Sequence, residues 1–148
     1  KTILSLSAKA VGLKHSGLYV YVKNTSRSFH GHAANWVYCN GREETKGSQY
    51  RRVVLHIGKP GNFPMTFRNH GRKDCPERTL SDWQEALAYL AGHEFGHVLF
   101  FQGAGGPRAV KHGGGEVSAD WYGGRALAEY RSKRAERNIT VVTETATS

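Results

Sequence analysis

The stretch Ala91-Gly92-His93-Glu94-Phe95-Gly96-His97-Val98-Leu99 decides how this chain is read. It contains H-E-x-x-H. On an α-helix, residues four apart lie on one face, so His93 and His97 stand side by side. Two imidazoles so placed can bind one tetrahedral zinc. Glu94 beside them can take a proton from a water that the metal polarises.

Working outward, Ser81-Asp82-Trp83-Gln84 reads as a capping box with Ser81 as N-cap and Gln84 at the third helical position. A helix is expected from Asp82 to about Phe101, where Gln102-Gly103 supplies a stop. At ~100° per residue, Trp83, Leu87, Leu90, Val98 and Phe101 form one apolar stripe. His93, Glu94 and His97 fall within or beside it. Phe95, Leu99 and Phe100 cover much of the other side, so the second half of this helix is expected to be buried. Buried imidazoles and carboxylates need partners, and a metal supplies them. The plainer alternative is a helix carrying two solvated or hydrogen-bonded histidines.

The residues before this helix read as strands and turns. Gly17–Val22, Asn35–Cys39 and Tyr50–Ile57 are rich in β-branched and aromatic residues, and Met65–Arg68 fits a short fourth strand. Residues 1–12 suit a helix or a strand equally. Asn40-Gly41 reads as a turn. Residues 69–79 read as a basic, turn-rich connection. After the helix comes a glycine-rich loop, then a second helix from Glu116 to about Glu136. Gly123-Gly124 inside it point to close helix–helix approach or a bend. Ile139–Val142 suggests a late strand, followed by a loose tail. Strands first and helices second define an α+β fold with a mixed or antiparallel sheet. The expectation is one domain over residues 1–138, with 139–148 as a short strand or tail.

With 148 residues the chain can bury an adequate core. No apolar run is long enough to span a membrane, and residues 1–8 are too short and polar for a secretory signal. Cys39 and Cys75 lack metal-type spacing and read as reduced thiols, which favours a cytoplasmic setting. Net charge is +9, unevenly spread: residues 1–80 hold 14 Lys/Arg against four Asp/Glu. That excess makes nucleic acid a candidate partner, with a solvated basic face as the alternative.

A catalytic zinc takes three protein ligands and keeps one position open. The pattern H-E-x-x-H-x-x-G-x-x-H is excluded, because Phe100 and Gly103 stand where Gly and His are required. Two third ligands remain. Glu116 opens the second helix, with Asp120 four residues on and on the same face. Asp120 there could orient a ligand histidine through its other ring nitrogen. His112, in the glycine-rich loop, is the other candidate. His15, His30, His32, His56 and His70 have no ligand spacing and read as ordinary histidines.

With Glu116-Val117-Ser118-Ala119-Asp120 following His93–His97, the chain resembles the gluzincin peptidases over residues 82–130. The small minigluzincins and the helix signature of prenyl-protein endopeptidases are similar there. The resemblance implies a zincin-like fold and zinc-dependent hydrolysis of a protein or peptide. His93, His97 and Glu116 would be ligands and Glu94 the general base. An edge strand, for which 50–57 is the candidate, would pair with substrate. His112 or Tyr122 would then be available to donate to the developing oxyanion. With His112 as ligand, the spacing instead resembles SprT-like proteases that act on DNA-bound proteins. A basic nucleic-acid-binding domain with a non-catalytic zinc is the remaining alternative.

Overall fold

Helix α1 (Ile3–Val11) forms where the sequence left helix and strand both open, and its two ends explain the choice. Thr2 caps it, its side chain accepting the Ser5 N–H at 3.2 Å. Gly12 ends it in the left-handed region at φ 76°, with the N–H of Leu13 returning to Ala8 O at 2.9 Å. The computed structural model describes residues 2–13, 18–23, 29–34, 36–39, 42–45, 52–101 and 115–147. These form an α+β fold of small sheets and three helices.

The strands are β1 (Tyr19–Lys23), β2 (Phe29–Ala34), β3 (Trp36–Cys39), β4 (Arg42–Thr45), β5 (Arg52–Ile57), β6 (Met65–Arg68) and β7 (Glu77–Leu80). The main sheet has the order β1-β5-β2 and is mixed. β1 runs parallel to β5, with Tyr19 opposite Arg52. β2 runs antiparallel to it, with Phe29 opposite Ile57 and Ala34 opposite Arg52. β3–β4 and β6–β7 are separate antiparallel pairs.

Four expected strands appear, as β1, β3, β5 and β6. β2, β4 and β7 were not expected, and β7 occupies part of the connection assigned to 69–79. The turn expected at Asn40-Gly41 lies outside the described residues. One expectation is corrected: β5 is the central strand of the sheet, not an edge. Its run of Val53, Val54 and Leu55 is fully buried, which is what a strand covered on both faces requires. The terminal strand on the side of the H-E-x-x-H helix is β2.

Helix α2 (Trp83–Phe101) carries the H-E-x-x-H motif. Its N-cap is Asp82, one residue later than expected, and the return bond from Glu85 goes to the residue before the cap. Asp82 Oδ1 accepts the Glu85 N–H at 3.0 Å, and Glu85 Oε2 accepts the Ser81 N–H at 2.8 Å. Burial holds the Glu85 carboxyl up, but Arg131 (2.9 Å) and the Ser81 N–H outweigh it, and the net shift is downward. Trp83 is not part of the buried stripe; it is 39% exposed. From Glu85 to Gly96 every residue of α2 is buried.

Helix α3 (Glu116–Thr147) crosses α2 along a seam of small residues. A Cβ on Gly92 would stand 2.5 Å from Ala126 Cβ and 2.7 Å from Tyr122 O. One on Gly123 would meet the Tyr89 ring at 2.7 Å. Gly123 therefore serves close helix approach, while Gly124 makes room for the Arg78 guanidinium, which a Cβ would meet at 2.6 Å. Gly92→Ala should destabilise the protein by about 1–3 kcal/mol through overpacking, although alanine is the better helix former. Urea midpoints measure this; an unchanged midpoint would mean the helices separate freely.

α3 runs on through 139–147, where a strand or loose tail was expected. A helix already nucleated gains one hydrogen bond for each residue added, and this outweighs a weak local β preference. One hydrophobic core joins α1, β5, α2 and α3 through Ala8, Val11, Val53, Leu55, Leu90 and Leu127, among others. Among the described residues no helix is long and apolar enough to cross a membrane.

Candidate metal centre

α2 brings His93, Glu94 and His97 together, each offering a donor atom within 4.8 Å of the others. The first turn of α3 places Glu116 across from them. Its Oε1 lies 3.1 Å from His97 Nε2, and its Oε2 lies 3.4 Å from His93 Nε2. Ligands of one tetrahedral zinc, bound at about 2.0–2.2 Å, lie about 3.3–3.6 Å apart. Each imidazole thus faces its own Glu116 oxygen at about the separation of two neighbouring zinc ligands, and the donors are the nitrogen and oxygen types zinc takes. Glu94 stands slightly off, its Oε1 3.9 Å from His93 Nε2. All four groups are buried or half-buried.

Gly31 of β2 explains how Glu94 fits. A Cβ there would lie 2.7 Å from both Cγ and Oε1 of Glu94, so only glycine lets the strand backbone pass this close. β2, β6 and α2 enclose a cleft of about 420 Å³ with Phe29, Phe67 and Leu90 among its apolar walls. His93 and Glu94 line it, as do Asn69 and His70.

Behind the histidines lies a buried polar chain. Tyr89 is one turn before His93 on α2. Its hydroxyl donates to Asp120 Oδ1 at 2.6 Å and lies 3.4 Å from His93 Nδ1. Asp120, 2% exposed, accepts from Arg78 Nη2 at 2.8 Å. Burial and the Asp120 hydrogen bond push the Tyr89 hydroxyl far above its usual range, so it stays protonated. Since its one proton goes to Asp120, Tyr89 can only accept from His93. That puts a His93 proton on Nδ1 and makes Nε2, the nitrogen facing Glu116, the one a metal would take. Asp120 therefore reaches His93 through Tyr89, where the sequence suggested direct contact.

Burial lowers the His97 pKa, but its hydrogen bond with Glu116 outweighs this and the net shift is upward. For Glu116, burial acts upward and the hydrogen bonds from His93 and His97 prevail, holding it well below the carboxylate range. In the metal-free protein, the stability from the raised His97 is fully present below pH 6.5 and lost as pH rises through its folded value. Melting temperature of the metal-free protein should therefore fall above pH 6.5, and His97→Gln should flatten that limb. A melting temperature level across this range would contradict the pairing.

His93, Glu94, His97, Glu116 and Asp120, the residues singled out in the sequence, thus lie near one another, with Asp120 behind Tyr89. Tyr122 packs its ring against Gly96 and Trp121 in the helix seam. His112 lies outside the described residues. Cys75 is a buried free thiol, its pKa raised by burial and then by Asp120. The side chain of Cys39 is also outside the described residues. Sequence reasoning missed Tyr89, Arg78, Asn69, His70 and Gly31. Only Tyr89 left a signal: a polar-tipped aromatic four residues before His93 on the same buried face. No protein-family description matches the chain, nor does any curated protein or solved structure.

Proposed function

We propose that this chain is a zinc-dependent peptidase of gluzincin type with a zincin-like fold. His93, His97 and Glu116 hold the metal, and Glu94 is the general base. The observation that carries the reading is the Glu116 carboxylate spanning His93 Nε2 and His97 Nε2 at 3.4 and 3.1 Å. Zinc bound there supplies a water acidic enough to ionise at pH ~7. Glu94, held above its usual pKa chiefly by burial, accepts a proton from the attacking water and passes it to the leaving amine. Tyr89, Asp120 and Arg78 keep His93 in the tautomer that turns Nε2 to the site. β2 ends the sheet beside Glu94, so its outer edge is the backbone template for an extended substrate.

The test is hydrolysis of unfolded casein by metal-stripped protein. Activity should return with one equivalent of zinc and vanish with a chelator. Zinc-loaded protein that cuts nothing would overturn the reading. A second reading rests on the excess of Lys and Arg in residues 1–80. It takes the substrates to be proteins held on nucleic acid. DNA binding that weakens steeply with salt supports it, and salt-independent behaviour removes it.

A further inference from the structure

Residues 68–75 form a fixed turn at the mouth of the cleft. Asn69, 7% exposed, donates through Nδ2 to Glu116 O at 3.2 Å and to Glu116 Oε2 at 3.3 Å. Arg72 N–H returns to Asn69 O at 2.9 Å, and Arg68 Nη1 donates to Cys75 O at 2.7 Å. Between these anchors His70 adopts the left-handed region, φ 49° and ψ 27°, followed by Gly71 at φ 64°. A non-glycine residue held there between rigid anchors points to function. The turn brings His70 Nε2 to 3.3 Å from Glu116 Oε2 while leaving the side chain 67% exposed.

We propose that His70 is a catalytic hydrogen-bond donor, its Nε2–H reaching the oxygen that gains negative charge as water adds to a substrate carbonyl. This rests on the hydrolytic reading above. His70 stands at the rim of the ligand set: its side chain is 67% exposed, against 6% and 13% for His93 and His97. Glu116 already has His93, His97 and Asn69 as partners, so it does not need His70 to be satisfied. Glu94 approaches from beneath β2, while His70 comes from the β6–β7 connection, so base and donor reach the cleft from different elements. The anchors fix the donor in advance, which is what stabilising a developing charge requires.

The test compares wild type with His70→Ala and His70→Gln, all zinc-loaded. Zinc affinity is measured by chelator competition, hydrolysis as kcat and KM on unfolded casein, and acetohydroxamate binding by calorimetry. For His70→Ala the expectation is zinc affinity within about 3-fold of wild type. The kcat should be about 10²-fold lower with KM little changed. Acetohydroxamate binding should weaken about 10-fold. Gln, which keeps an N–H, should restore part of both. Unchanged kcat and acetohydroxamate binding in zinc-loaded His70→Ala would overturn the role and leave the peptidase reading standing. A loss of zinc affinity of about 10-fold or more would make His70 a residue that holds the metal or its Glu116 ligand, overturning the role another way. Wild type that binds zinc but hydrolyses nothing would remove both readings.

Discussion

Glu94→Gln should bind zinc normally and lose about 10²–10⁴-fold in kcat/KM. The amide has the shape of the carboxylate, so it fits under Gly31, where Glu94 Cγ and Oε1 would touch any added Cβ. What it cannot do is accept a proton. The variant separates chemistry from folding in a second way. Burial raises the Glu94 pKa, so its ionised form costs stability once pH exceeds the unfolded value of 4.5. Metal-free Glu94→Gln should accordingly melt at or above the wild-type temperature at neutral pH. Elemental analysis, casein hydrolysis and thermal melts check the three outcomes. Full hydrolysis by this variant would end the general-base assignment.

Glu116→Ala has the other large expected effect. It removes the carboxylate that spans both histidines and should weaken zinc binding by more than the ~10–100-fold seen when an outer partner is lost. It also removes the carboxylate oxygen beside Asn69 Nδ2 and His70 Nε2, although Asn69 keeps the Glu116 backbone carbonyl as an acceptor. Native purification should return about one zinc per wild-type chain, far less for Glu116→Ala, and wild-type levels for His112→Ala. Retention by Glu116→Ala with loss from His112→Ala would exchange the two residues as third ligand.

The motif helix and the carboxylate helix were legible because both signals are local. His93, Glu94 and His97 lie on one turn, and Glu116 with Asp120 on the next helix. The site's other half was not legible, for physical reasons. β2 reads Phe-His-Gly-His-Ala-Ala and has no β-branched residue. Its glycine, which weakens the strand signal, is the residue that admits Glu94, so the local rule fails where the site demands it. Asn69 and His70 reach Glu116 across 47 and 46 positions of sequence, and Arg78 reaches Asp120 across 42. Pairings that distant leave no trace in spacing. Arg78 and Arg72 also show why the charge excess overstates the free basic surface: each is paired with an aspartate. The continuation of α3 past Glu136 was hidden by the β-branched run Ile139–Thr143, whose preference yields to an established helix.

The most direct measurement is a crystal structure of the zinc-loaded protein with anomalous data at the zinc edge. The account predicts one peak, within about 2.0–2.2 Å of His93 Nε2, His97 Nε2 and a Glu116 oxygen, with the fourth position open toward the cleft. A peak held by His93, His97 and His112, or four protein ligands closing the site, would contradict it.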